Sequence, residues 1–253
     1  MMKIKIFLLL LVTIVLIISY SVSALAQSQQ GQQNMPMDMS NMKMGEEMEI
    51  AHPFFTHMGM PEGLGTLNFR FAGLAIRDNG KIEGDFAFHL ETGITKYVGL
   101  HIRNNRFLDE PRTELMFQFI AMKSSDGMSG LSPYIEFEVP TRSDRSKHVY
   151  TLVGFSTALS NQRLSFNQAI EYKPEDNEME GSVAFVLKLG KIFFPVVEVS
   201  GERARDVNRI INMLGGLKIR VNENILFGLA AQTPVTKNKD FSSEIIFQTD
   251  IGW

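Results

Sequence analysis

From Thr66 to Trp253 the chain alternates apolar and polar residues with a period of two, almost without a break. Successive strand side chains point to opposite faces, so this pattern specifies strands with one apolar and one polar surface. The closing stretch shows it best: Ile245, Phe247, Thr249, Ile251 and Trp253 share one parity, and Glu244, Ile246, Gln248, Asp250 and Gly252 share the other. The pattern predicts about twelve strands, near 66–77, 83–92, 96–104, 114–119, 134–139, 147–157, 163–172, 180–189, 192–200, 217–221, 225–231 and 243–253. Asp78-Asn79-Gly80 marks a tight hairpin turn after the first. The 147–157 strand alternates least clearly. Pro195 fits a strand end or bulge better than a central position. The connection from Gly201 to Gly215 reads as charged and then helix-like, and Gly215-Gly216 reads as a turn.

Two architectures accept such strands. A soluble sandwich uses shorter ones as a rule, whereas a transmembrane barrel needs about ten residues each, apolar toward lipid and polar toward the lumen. Beyond the N-terminus no run approaches the ~20 apolar residues of a membrane helix. A membrane could therefore be crossed here only by a closed barrel, because lipid leaves open backbone groups unsatisfied. The expected fold is all-β, an antiparallel transmembrane β-barrel of about twelve strands with a disordered N-terminal arm. A secreted, soluble β-sandwich is the alternative.

The N-terminus has the form of a secretory signal. Lys3 and Lys5 precede an apolar run from Ile6 to Ile18, and Ala24-Leu25-Ala26 supplies a small-x-small cleavage site. The expected organisation is a signal peptide at 1–26, a Met/His-rich periplasmic arm at 27–63 and an outer-membrane barrel at 64–253. With no cysteine, lipid attachment, disulfides and thiolate metal sites are excluded. A formal net charge of -3 argues against a nucleic-acid partner.

The arm is the densest chemical signal. Eight of the 15 methionines lie between Met35 and Met60. Met35, Met37 and Met39 alternate with other residues, as do Met42 and Met44. Met48 and His52 follow, and then His57-Met58-Gly59-Met60. Thioethers beside imidazoles are soft ligands that select Cu(I) or Ag(I) and need no deprotonation. These ten residues are the candidate metal ligands, with no cofactor required for the fold. The bland reading is a linker, or a segment that plugs the barrel mouth with flexible apolar side chains. Phe54 and Phe55 are expected at the periplasmic rim, where interfacial aromatics concentrate.

The segment F-G-L-A-A-Q-T-P-V-T-K-N-K-D-F, Phe227 to Phe241, resembles the end of the outer-membrane channel-like proteins grouped with the phenol meta-pathway transporters. There a strand ending Q-x-P-[VL]-T precedes a short N-x-[DE]-F loop and the last strand. Here those are Gln232 to Thr236 and Asn238 to Phe241. The resemblance covers the last 100 residues or so and implies a transport role in the outer membrane. The closing strand, ending on Trp253, resembles the C-terminal strand of bacterial outer-membrane barrels, which implies that it is read by the barrel-insertion machinery. The methionine-rich arm departs from the family's pattern.

The polar parity supplies the expected lumen lining: Arg70, Asp85, His89, Glu91, His101, Arg103, Glu114, Glu136, Glu138, Arg163, Glu171, Lys188, Glu198, Lys218, Arg220, Glu244 and Asp250. Such charges line a selective channel or pair to fill a narrow interior. A barrel lipid hydrolase pairing Ser165 with His89 or His101 is the enzymatic alternative, but no G-x-S-x-G or H-E-x-x-H pattern supports it. The reading is a non-enzymatic outer-membrane channel for a small solute or metal ion.

Overall fold

The computed structural model describes residues 50–108, 112–125, 127–141, 148–203 and 209–252. The predicted signal peptide, Met35, Met37, Met39, Met42, Met44, Met48 and Trp253 lie outside the described residues. Among those described, no helix is long and apolar enough to cross a membrane.

The strands are β1 Leu67–Asp78, β2 Lys81–Thr95, β3 Val98–Asn104, β4 Arg112–Phe119, β5 Met122–Lys123, β6 Gly130–Pro140, β7 Tyr150–Ser160, β8 Leu164–Lys173, β9 Glu178–Leu187, β10 Phe193–Arg203, β11 Ile210–Asn222, β12 Ile225–Pro234 and β13 Ser243–Gly252. Except for β4 and β5, consecutive strands pair antiparallel. Two further ladders close the ring. β1 pairs with β13 from Asn68↔Gly252 to Arg77↔Ser243, and β4 pairs directly with β6. β5 is a two-residue extension along the end of β6, so twelve strands form a closed barrel. One closed sheet with no free edge rules out the sandwich.

The alternation becomes inside and outside. Along β1, Asn68, Arg70, Ala72, Leu74 and Ile76 are buried while Leu67 and Phe71 are exposed. On the outer surface stand Phe185, Phe193, Phe227, Leu229, Ile245 and Phe247, the last 60 % exposed. The β1–β2 hairpin turns on Asn79 and Gly80, both with positive φ, the two-residue type I′ geometry that its Asn-Gly sequence favours. Pro195 lies in β10 just before the β9–β10 ladder begins at Val196↔Val186, where its missing N–H is not needed.

Two local expectations fail. The helix-like connection is strand at both ends: β10 runs on to Arg203, and β11 starts at Ile210. Gly215 and Gly216 sit within β11, opposite Ala231 and Ala230, and not in a turn. A glycine pair signals chain reversal only when the chain is free to reverse. Here ladders on both sides hold it straight, and the missing side chain at 216 has another use.

Candidate functional site

The barrel interior is filled by the segment from Ile50 to Gly63. Ala51, His52, Pro53, Phe54, Thr56, His57 and Gly59 are all buried. The Phe54 ring, 4 % exposed, lies in a socket formed by missing side chains. A Cβ on Gly216 would come within 2.7 Å of the ring, and one on Gly228 within 2.8 Å. Both glycines face inward on neighbouring strands beside Ala230. The Lys218 ammonium covers the ring at 4.7 Å. Ala51 and Phe54 join Ala72, Leu74, Val196, Leu214, Leu226, Ala230 and Ile246 in one apolar cluster inside the wall. The rim position expected for Phe54 is therefore wrong: a full aromatic ring gains more from a dry, ring-shaped socket than from a half-wet interface.

The wall also satisfies the segment's backbone. The Glu198 carboxylate accepts the N–H of Phe54, that of Phe55 at 3.1 Å, that of Thr56 at 2.9 Å and the Thr56 hydroxyl at 2.9 Å. The Pro53 carbonyl accepts from Arg70 and from Lys218, each at 3.1 Å. Lys218, fully buried, also donates to Asp250 at 2.7 Å. Further along, Gln118 donates to the Met58 carbonyl at 2.9 Å, and the Gly59 N–H to Asn167 at 3.1 Å. A Cβ on Gly59 would overlap the backbone of Thr157 and Ala158. This close approach contributes to the weak alternation of the sixth predicted strand: on β7, Ala158 lies against Gly59, while Ser156 accepts from Gln118 and Gly154 leaves room for Tyr134. Buried polar groups of a segment inside a barrel need such partners, since water cannot supply them.

The structure places the residues of the sequence-predicted lining as follows. Arg70, Asp85, His89, Glu91, His101, Arg103, Glu136, Glu171, Glu198, Lys218, Glu244 and Asp250 are buried, and Glu114, Glu138 and Arg220 are half-buried. Arg103 is ion-paired with Glu114, Lys173 with Glu138, and Arg220 lies over the Phe194 ring. Arg163 is a correction. It is exposed in the β7–β8 turn, where Asn161 Oδ1 accepts the N–H of Arg163 and of Leu164 and delays the strand to Leu164. Lys188 is half-buried just past the end of β9.

Four of the five histidines face the lumen. The structure divides them into two groups. His89, Glu91 and His101 form a triangle with edges of 3.2, 3.3 and 3.3 Å, and Arg70 contacts both His89 and Glu91. His52 bridges Glu62 and Glu91, each at 3.2 Å. His57 instead faces Glu136 on β6 and Glu171 on β8. Of the predicted soft-metal set, Met60 places its sulfur 3.6 Å from the Ser132 hydroxyl. The Ser/His pairing of a hydrolase is not assembled: the Ser165 hydroxyl bonds Ser160 at 2.7 Å and Asn167 at 3.0 Å, while His89 belongs to β2 and Arg70.

Beside the inserted segment a cavity of about 290 Å³ remains. Among the described residues, Glu171, Glu180, Glu198, Glu202, Asp240 and Glu244 line it together with Arg103 and Arg106. Glu180 stands directly across from Glu171 on one side and Glu202 on the other, a cross-strand row of like charges. Sequence parity indicated Glu171, Glu198 and Glu244 as inward. It did not single out Glu180, Asn167 or Gln118, whose importance arises only from what passes beside them.

No known protein family's sequence profile matches the chain, and no characterised protein is recognisably similar to it in sequence. Its architecture does match solved structures. The KdgM porin in complex with disordered oligogalacturonate aligns with a TM-score of 0.54 at 9 % identity, covering 74 % of this chain and 98 % of that one. NanC porin gives 0.52 at 9 % identity, over 74 % and 98 %. The COG4313 outer membrane channel from Pseudomonas putida F1 gives 0.57 at 7 % identity, over 80 % and 100 %. The fold is thus that of the outer-membrane porin-like barrels. At these identities the likeness concerns the fold.

Proposed function

We propose that this protein is an outer-membrane channel for small solutes whose lumen is closed by its own residues 50–63 and opens when that segment leaves. The carrying observation is the docking itself: a charged carboxylate, Glu198, holds three consecutive backbone N–H groups of a segment that takes no part in the barrel's ladders. Outward Phe, Leu, Ile and Val around the ring supply the lipid-facing surface that a spanning barrel requires. The acidic cavity favours cationic solutes, because carboxylates outnumber guanidinium groups among its described lining residues and give a negative field in a confined, low-dielectric space. Planar-bilayer recording tests the reading. Wild-type protein should show small or rare conductance steps, and a variant lacking residues 50–60 should show large, steady, cation-preferring ones. A deletion variant that assembles as a barrel yet conducts no better than wild type would refute it.

The methionine cluster from Met35 to Met48 immediately precedes the docked segment, and its thioether chemistry supports a second role in capturing Cu(I) or Ag(I). Competition with a Cu(I) chelator on the barrel with and without residues 27–49 tests that role. Equal affinities would remove it.

A further inference from the structure

We infer that His57, Glu136 and Glu171 form a site for a borderline divalent transition cation such as Zn²⁺, Co²⁺ or Ni²⁺, tying the inserted segment to the barrel wall. The site requires the lumen geometry only, not the passage of any solute.

His57 is 3 % exposed, and its Nε2 has no hydrogen-bond partner although it points at two carboxylates. It lies 3.9 Å from Glu136 Oε2 and 3.8 Å from Glu171 Oε2. These separations are too long for hydrogen bonds. They are about twice a metal–ligand bond of roughly 2.0–2.2 Å, so one ion lying just off both lines reaches all three atoms. One imidazole nitrogen with two carboxylate oxygens is a donor set for zinc-like ions rather than for soft Cu(I). The adjoining cavity, lined by His57 and Glu171 themselves, has room for a water to complete the coordination.

Charge separates this site from the other histidine group. At His89, Glu91 and His101 the single carboxylate is already balanced by Arg70, and the short edges of the triangle suit hydrogen bonds among the rings and Glu91. Around His57 the balance is missing. Among the described residues, Arg103 is the cation that pairs with Glu114 and Glu136 and lies near Glu171, with Glu180 directly across from Glu171. Arg103 reaches Glu136 Oε2 only at 3.5 Å and His57 Nδ1 only at 3.5 Å, and Tyr134 donates to Glu171 Oε2 at 3.1 Å. Buried carboxylates in excess of their cations call for another positive charge. A divalent ion supplies it where the unpartnered imidazole points.

The test uses the full-length barrel purified in detergent and stripped with a chelator. Co²⁺ titration should give saturable visible d–d absorption at one ion per chain, displaced by Zn²⁺ and not by Mg²⁺. His57→Ala should weaken binding at least about tenfold, since even the loss of an outer-shell partner costs that much. Glu171→Gln should act in the same direction, and His148→Ala, at an exposed histidine, should leave binding unchanged. His57 lies outside every strand, so heat-modifiable gel mobility should show that His57→Ala still forms the barrel. Absence of saturable Co²⁺ binding in wild type would overturn the assignment. So would wild-type affinity in the His57→Ala protein, which would move any ion to the His89 group. Binding is read without conductance, so either proposal can fail alone.

Discussion

Replacing Glu198 by alanine should release the inserted segment. Its carboxylate accepts four hydrogen bonds from Phe54, Phe55 and Thr56, and all four are lost together. Bonds to a charged acceptor contribute about 1.5–3 kcal/mol each, and a buried donor left unpaired costs about 1–3 kcal/mol. Three backbone N–H groups stranded in the lumen therefore cost roughly 3–9 kcal/mol if the segment stays. What remains to hold it is the Phe54 ring, at about 2–3 kcal/mol for its burial, the two bonds to the Pro53 carbonyl, those of Met58 and Gly59 to Gln118 and Asn167, and the His52 contact with Glu91. The loss rivals the remainder, so the segment should spend much of its time in water, where its N–H groups are satisfied. Because the chain contains no cysteine, Ala51→Cys provides a unique reporter inside the lumen. In the Glu198→Ala background that thiol should react with a water-soluble maleimide many times faster, and bilayer conductance should rise. Glu198→Gln, which keeps one acceptor oxygen, should be intermediate. Glu198 makes none of the ladder bonds through its side chain, so heat-modifiable mobility should persist in both. Unchanged labelling and conductance in Glu198→Ala would refute the account of how the segment is held.

Filling the ring socket should have the same effect from the other side. Gly216→Leu would drive a side chain into Phe54, and Phe54→Ala would empty the socket at a cost of about 3–5 kcal/mol to docking. Both should raise conductance without loss of barrel assembly. In the deletion variant, Glu171→Gln with Glu180→Gln should lower cation preference, read as a reversal potential closer to zero in a salt gradient. On the outer surface, Phe247→Arg should destabilise the bilayer-inserted barrel by up to about 2–4 kcal/mol if the position lies near the midplane, measured by denaturant titration in lipid vesicles. No loss there would argue against lipid contact at that strand.

The wall of this protein was readable because alternation reports a side chain's face directly. Phe71 and Arg70, Phe247 and Gln248 fall on opposite sides for the same reason that adjacent strand residues always do. The contents of the lumen were not readable that way, because a period of two says nothing about what an inward face touches. His52-Pro53-Phe54-Phe55 has no periodicity of its own, and aromatics beside a barrel sequence have an ordinary explanation at the rim. The clue lay in volume. Gly99, Gly154, Ser156, Gly216, Gly228 and Ala230 occupy inward positions where a barrel filled only by its own side chains would carry bulk. Read as turns or as weak alternation, these residues seem to be noise. Read together, they outline the space that a second stretch of chain must fill. Most of their positions follow that stretch: Gly216 and Gly228 meet Phe54, Gly99 meets Pro61, and Gly59 itself lies against the Thr157–Ala158 backbone of β7, while Gly154 leaves room for the Tyr134 ring. Inward charges follow it too, with Glu198 on its N–H groups and Arg70 and Lys218 on its carbonyl. A barrel built as an open pore has no use for a wall so closely fitted to one backbone, and one closed permanently has no need to keep an acidic cavity beside it. Under the proposed gating, that combination gives the docked segment and the charged cavity a single function.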